Sequence, residues 1–356
     1  MATENRMRER FFHCVSGFWA GASFGAITKG MSPDKVIRTF GGHDGSWPEE
    51  SLVEAWKQGS FQPSGILERM KLVSQAILEK QDRIRAEDLG SVWYRFLSPE
   101  HADMVLQPYE KLLLEMILAR MPAAEVGRYS DYSGLNNFAC ACLPIALMNA
   151  GDPEHAREDA ENVGCLYQSA GSSGIKWAAA ASVAISSAMS PQATMQGVLE
   201  EVFRLNDSDA VKRDLEKGLE ATSSCDSMKS LQAAFDTLYQ AEGIPYAMSF
   251  SKETVTKALC ISRLCEADVK KAVVFGTATG RDADSTASLA ASICGALGGG
   301  GGLPSEWIDM LDSQKNANSQ TFRPFSVRSL PDELYQAFSN RVGKLRTYVA
   351  LIDGCS

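Results

Sequence analysis

The chain has 356 residues, of which 45% are hydrophobic and 22% are charged, a balance typical of globular proteins and not of disordered ones. The net charge of −9 makes nucleic acid and anionic membranes poor partners, although a local basic patch is compatible with it. No run of about 18 apolar residues predicts a membrane span, and residues 1–10 do not form a secretory signal. We therefore expect a cytoplasmic protein that binds neither nucleic acid nor membranes.

The nine cysteines and four histidines do not form a metal-binding pattern. No two cysteines are separated by two residues, and the histidines lie far apart in the sequence. Zinc sites usually take their ligands from closely spaced pairs of these residues. We therefore expect buried thiols that pack in the core.

Apolar residues recur at spacings of three and four along most of the chain, which is the pattern of amphipathic helices. Between residues 64 and 79, for example, Ile66, Met70, Val73 and Ile77 fall on one face. Residues 177–189 are rich in alanine and apolar on nearly all sides, which predicts a central buried helix. Further helices are predicted from Met104 to near Pro122 and over residues 198–205, 228–239, 254–264 and 332–351.

Strand patterns are scarce in this sequence. Only residues 272–275 have the composition of a strand, and that segment is short. The sequence contains no internal repeat and no break that resembles a linker. We therefore predict an all-α fold, a compact helical bundle around one core that spans residues 1–356 as a single domain.

The segment with the clearest chemistry covers residues 280–287 and reads Gly-Arg-Asp-Ala-Asp-Ser-Thr-Ala. Its two carboxylates, Asp282 and Asp284, are separated by one residue before a predicted helix, so both can turn toward a common point. Ser285 or Thr286 can cap that helix and leave an oxygen atom nearby. Carboxylate and hydroxyl oxygens are hard ligands, suited to Mg²⁺, Mn²⁺ or Ca²⁺. Taken alone, the pattern also fits a capped helix start with solvated acids.

The same segment continues with Ala-Ser-Ile-Cys-Gly-Ala-Leu and, at 303–308, with Leu-Pro-Ser-Glu-Trp-Ile. Together these residues resemble the C-terminal signature of the ADP-ribosylglycohydrolase family, which has the form G-G-D-T-D-T, a helix containing G-A, and a later P-x-x-W. Two earlier regions are similar to family motifs in the same order, namely the glycine-spaced residues 17–25 and residues 135–144 with the Gly-Asp-Pro at 151–153. The resemblance covers most of the chain.

The resemblance implies an all-α fold with a two-metal magnesium site, at which water attacks the anomeric carbon of ADP-ribose. Two hard cations can orient the ribose hydroxyls and a water molecule while carboxylates manage protons. By match to the family motif, the metal ligands would be Asp282, Asp284 and Ser285, and the two aspartates would also be catalytic. The residues that would bind an ADP-ribose-like substrate are Tyr132, Asn136 and Asn137.

The first half of the chain departs from the family pattern. Where the first family motif has an aspartate and a later acidic residue, this chain has Ala22 and Lys29. The second motif, T-D-D-T, matches residues 64–67, which contain no carboxylate, and the central arginine falls at Ala141. Glu68 can replace a missing ligand only if the backbone shifts. We therefore expect Mg²⁺ to bind weakly or not at all, and Lys29 becomes a catalytic candidate that supplies positive charge or acts as an acid.

Three functions are compatible with these residues. The first is hydrolysis of an N- or O-glycosidic, ADP-ribosyl bond at a reduced metal site. The second is metal-free chemistry by a lyase, isomerase or cyclase on a small, more apolar metabolite of a biosynthetic pathway. The third is binding of ADP-ribose or of a partner protein without turnover. All three use the same fold, so the fold alone does not choose between them.

Overall fold

The computed structural model describes residues 2–41, 49–59, 65–99, 102, 105–239, 250–298, 301–313 and 324–354. Over these ranges the chain is helical, and its only strand-like feature is one antiparallel bridge between Leu135 and Phe250, which confirms the predicted all-α fold. The first nine helices are α1 (Ala2–Gly25), α2 (Pro33–Phe40), α3 (Glu49–Gln58), α4 (Gly65–Lys80), α5 (Ala86–Phe96), α6 (Lys111–Leu118), α7 (Ala123–Val126), α8 (Leu143–Met148) and α9 (Pro153–Gly164). The others are α10 (Ser173–Ala188), α11 (Met195–Leu205), α12 (Asp209–Ala221), α13 (Met228–Tyr239), α14 (Ser251–Cys265), α15 (Val269–Ala278), α16 (Ala283–Leu297), α17 (Ser305–Ser313) and α18 (Ser329–Asp353).

Two local predictions are wrong. Residues 272–275, which have a strand-like composition, lie inside α15, because a short apolar run fits a buried helix as well as a strand. Residues 104–122 do not form one long helix: a 3₁₀ turn at Pro108–Glu110 comes first, since proline favours the start of a turn, and α6 follows it. Met104 itself lies outside the described residues.

The centre of the molecule is a close, antiparallel pair formed by α1 and α16. Gly17, Gly21 and Gly25 of α1 are spaced by four residues and therefore share one face. A Cβ atom added at Gly21 would lie 2.4 Å from the backbone of Ala287, and one at Gly25 would lie 2.3 Å from Asp284 Cα. The two helices thus touch backbone to backbone, which places the end of α1 beside the start of α16.

The other helices surround this pair with a continuous core of apolar side chains. The alanine-rich helix α10 is buried on nearly all sides, as its sequence predicts, and it packs against α9, α11, α14 and α16. Within the described ranges, no helix has both the length and the apolar character that a membrane span requires.

Candidate functional site

The two carboxylates of the 280–287 segment lie at the N-terminal end of α16. Asp282 directly precedes the helix and is half-buried, while Asp284 lies in its first turn and is fully buried. The prediction that Ser285 or Thr286 caps the helix is wrong, because α16 already begins at Ala283 and both hydroxyl residues are inside it. The two acids therefore occupy different levels of the helix start, one near the surface and one below it.

The backbone before α16 is fastened to the turn that follows α1. Gly280 and Arg281 both have left-handed conformations, with φ of +60° and +52°. The amide of Arg281 donates to Met31 O at 2.7 Å, and its carbonyl accepts from Gly30 N at 2.7 Å. These two hydrogen bonds join the turn that carries Lys29 to the loop that carries both carboxylates.

Lys29 directs its ammonium group at the buried carboxylate. Its Nζ lies 2.7 Å from Asp284 Oδ2, and its side chain is 43% exposed whereas that of Asp284 is 0% exposed. Burial lowers the pKa of Lys29, but the charges of Asp284 and Asp282 and the hydrogen bond to Asp284 outweigh it, so the pKa lies above its ordinary value. Lys29 is therefore a permanent positive charge at neutral pH.

Asn136 supplies the polar contact to the second carboxylate. Its Nδ2 donates to Asp282 Oδ2 and also, at 2.9 Å, to Thr254 Oγ1 at the start of α14. The bridge between Leu135 and Phe250 holds this central segment beside α14. The fold therefore brings together Lys29, Asn136, Asp282 and Asp284, which come from three distant parts of the sequence.

Asn137 and Tyr132 have different surroundings. The Asn137 side chain is buried in a polar network, in which its Nδ2 donates to Glu110 Oε1 at 2.9 Å and its Oδ1 accepts from Gln168 Nε2 at 2.7 Å. Tyr132 is half-buried, and its carbonyl accepts a hydrogen bond from Ser130 Oγ at 3.3 Å. A substrate-binding role for either residue stays a prediction, and the network around Asn137 also gives it a structural role.

Cys140 belongs to the site but is missed by sequence reasoning. It is fully buried and hydrogen-bonds to Ser285, whose own Oγ lies 3.4 Å from Asp284 Oδ1. Burial and the negative charge of Asp282 raise the pKa of the thiol well above its usual value. The thiol of Cys140 is therefore neutral and lies beside the two carboxylates.

Arg69 is a second missed residue, and it adds another positive charge. It extends from α4, is almost fully buried, and pairs with Glu110 at 2.5 Å between Nη2 and Oε2. Its charge lowers the pKa values of both Lys29 and Cys140. The sequence offered one signal for it, since Arg69 lies just after the segment that matches the second family motif.

Comparison with known proteins identifies the family. The sequence model of the ADP-ribosylglycohydrolase family matches residues 3–342. The chain belongs to the ADP-ribosylglycohydrolase family. Among solved structures, the fold is similar to that of an ADP-ribosylglycohydrolase-related protein complex, with a TM-score of 0.60 and 14% identity over 94% of this chain and 99% of that one. At this identity the likeness shows the fold alone, and comparison with curated proteins gives no match.

This ADP-ribosylglycohydrolase-family chain lacks the carboxylates that a metal pair would need. Ala22 is fully buried, and the described part of the second motif, residues 65–67, is the apolar start of α4. Glu68 pairs with Lys71, with 2.7 Å between Oε1 and Nζ. Residue 64 lies outside the described residues.

The remaining carboxylates are already engaged by protein groups. Asp284 accepts from Lys29 Nζ through Oδ2 and from the Ser285 amide, at 2.9 Å, through Oδ1. No cluster of three or more His, Cys, Asp or Glu side chains suited to a metal ion occurs in the described ranges. Magnesium requires about six oxygen ligands with strict octahedral geometry. The residues present therefore do not fit a two-metal magnesium site.

Proposed function

We propose that the site formed by Lys29, Asp282 and Asp284 binds an ADP-ribose-like ligand and hydrolyses its N- or O-glycosidic bond, with the Lys29 ammonium in place of the metal ions. The observation that carries the proposal is the 2.7 Å contact between Lys29 and Asp284, of which Asp284 lies in the segment that bears the family signature. Membership of the ADP-ribosylglycohydrolase family supports the substrate class. The proposal makes Mg²⁺ weakly bound at most.

The two carboxylates suit different tasks in such a reaction. Asp282 is half-buried and oriented by Asn136, so it is the candidate base that accepts a proton from the attacking water. The water oxygen forms the new bond to the anomeric carbon while the glycosidic bond breaks, and the leaving group takes up a proton from solvent. Negative charge on Asp282 also stabilises the positive charge that develops on the sugar ring.

Lys29 and Asp284 would act on the ribose and not on the leaving group. The ammonium has three donors, of which one is used by Asp284, and its side chain is partly exposed toward solvent. It can therefore donate to a ribose hydroxyl while Asp284 holds it in place. Because its pKa is raised, Lys29 stays charged and is a poor proton donor, so orientation is the role we assign to it.

Calorimetric titration with ADP-ribose tests the binding step. We expect the same affinity in Mg²⁺ and in EDTA, and at least about tenfold weaker binding for Lys29→Met. The matched control is Lys35→Met, which removes an exposed lysine from α2 and should bind normally. Binding that requires Mg²⁺ would overturn the replacement of metal by lysine, and no binding in either buffer would overturn the ADP-ribose ligand.

Chromatography of ADP-ribosylated arginine and serine peptides tests the chemical step. We expect release of ADP-ribose that persists in EDTA and is lost in Asp282→Ala. Binding without release would overturn the hydrolase and leave a non-catalytic binder. Failure of both assays would favour a metal-free enzyme for another small molecule, because the same ion pair also suits a site that needs no metal.

A further inference from the structure

The loop that carries both carboxylates contains an arginine in a conformation that normally requires glycine. Arg281 has a φ of +52°, in the left-handed region that is strained for a residue with a side chain. The family signature G-G-D-T-D-T has glycine at the matching position. A strained arginine here therefore needs an interaction that holds it.

The side chain of Arg281 is held by a bidentate ion pair. Its Nε donates to Glu253 Oε1 at 2.7 Å and its Nη2 to Glu253 Oε2 at 2.9 Å, a geometry that fixes direction as well as distance. Glu253 lies in the first turn of α14 and also accepts from Lys257 Nζ at 2.6 Å. The Lys257 side chain is only 3% exposed and lies over the rings of Phe235 and Tyr239.

The first turn of α14 is also linked to Asp282, the candidate base, through Asn136. Thr254, the residue after Glu253, accepts a hydrogen bond from Asn136, which in turn donates to Asp282. Arg281 also joins the turn of Lys29 through its two backbone hydrogen bonds. The first turn of α14 thus contacts the residue before Asp282 directly and Asp282 itself through Asn136.

We propose that Glu253 and Arg281 are positioning residues. Their bidentate ion pair holds the backbone at a position where the family signature has a flexible glycine, and it thereby fixes Asp282 and Lys29 relative to each other. The inference rests on the proposed function in one respect, namely that Asp282 and Lys29 are the groups to be positioned. Lys257 supports the same ion pair, because its buried ammonium group holds the Glu253 carboxylate in place.

Hydrogen exchange measured by mass spectrometry on the full chain tests this inference without any ligand. In Arg281→Gly and in Glu253→Gln we expect amides of residues 28–31 and 280–285 to exchange at least about tenfold faster than in the wild type. The matched control is Arg120→Gly, which removes another left-handed arginine (φ +66°) that stacks on Tyr94. The control should leave exchange at both loops unchanged.

A conservative variant separates positioning from general stability. Arg281→Lys keeps the positive charge but not the bidentate geometry. Compared with Arg281→Gly, we therefore expect it to recover more of the global free energy of unfolding than of the amide protection at residues 28–31 and 280–285. Unchanged exchange at both loops in Arg281→Gly would overturn the proposal, as would equal acceleration across all helices in every variant. If the wild type does not bind ADP-ribose but the variants show the expected exchange pattern, only the proposed function is overturned.

Discussion

The end of α1 and the start of α16 face each other across one site, yet they relate to the family in opposite ways. The start of α16 keeps the carboxylates of the signature, at Asp282 and Asp284. At the end of α1 and the start of α4, the positions matched to the family's acidic residues hold no carboxylate, and these regions contribute the cations Lys29 and Arg69. Lys29 pairs with Asp284 across the site, whereas Arg69 pairs with Glu110. The difference teaches that a buried carboxylate of the signature can be balanced by a lysine from a distant segment.

The largest effect on stability is expected when the end of α1 and the start of α16 are forced apart. In Gly25→Ala the new Cβ would lie 2.3 Å from Asp284 Cα, so the helices must move apart, and we expect a loss of about 4 kcal/mol or more in the free energy of unfolding. Chemical denaturation measures this change. Gly343→Ala in α18 is the control, because an added Cβ there would meet no described atom within 4 Å beyond its own helix backbone, and it should gain about 0.5–1 kcal/mol. Equal stabilities of the two variants would contradict the close backbone contact.

A smaller effect is expected when the ion pairs of Glu253, which hold the loop before α16, are broken. Glu253→Gln removes the partner of buried Lys257, and we expect a loss of about 2–3 kcal/mol at pH 7. Burial raises the pKa of Glu253, but the charge of Lys257 and the hydrogen bonds from Arg281 and Lys257 outweigh it and bring the pKa below its ordinary 4.5.

The sign of the pH dependence follows from that lowered pKa. The contribution of ionised Glu253 is fully present above the unfolded value of about pH 4.5 and is lost as the pH falls through the lower folded value. Denaturation curves from pH 7 down to pH 3 should therefore converge for wild type and Glu253→Gln. A difference that stays constant over this range would show that ionisation of Glu253 does not support the fold.

The smallest effect on stability is expected at the ion pair that joins the two regions. In a double-mutant cycle of Lys29→Met and Asp284→Asn, we expect a coupling of about 1 kcal/mol or less, because the lysine is partly exposed and solvent screens the pair. Each single variant should still lose most of its ADP-ribose affinity under the proposed function. A coupling near 3 kcal/mol would mean that Lys29 is far less solvated than its exposure indicates.

Much of the fold and part of the site could be predicted from the sequence. The helical periodicity indicates most helices, and the motif at 280–287 indicates where two carboxylates converge. The sequence indicates Lys29 as a catalytic candidate but not its ion pair with Asp284, because the two residues lie 255 positions apart. Cys140 and Arg69 were missed because their roles depend on neighbours from other segments and not on any local pattern.

The sequence by itself determined the helical class, through the spacing of its apolar residues, and the family, through the order of its motifs. It also determined which charges are available, since the lost acids and the new lysine are visible without coordinates. Only the tertiary structure decided which charges meet. The glycine-lined contact of α1 with α16 and the left-handed entry at Gly280 and Arg281 bring Lys29 to Asp284. Pairing over such a distance depends on packing and backbone geometry, which no single segment encodes.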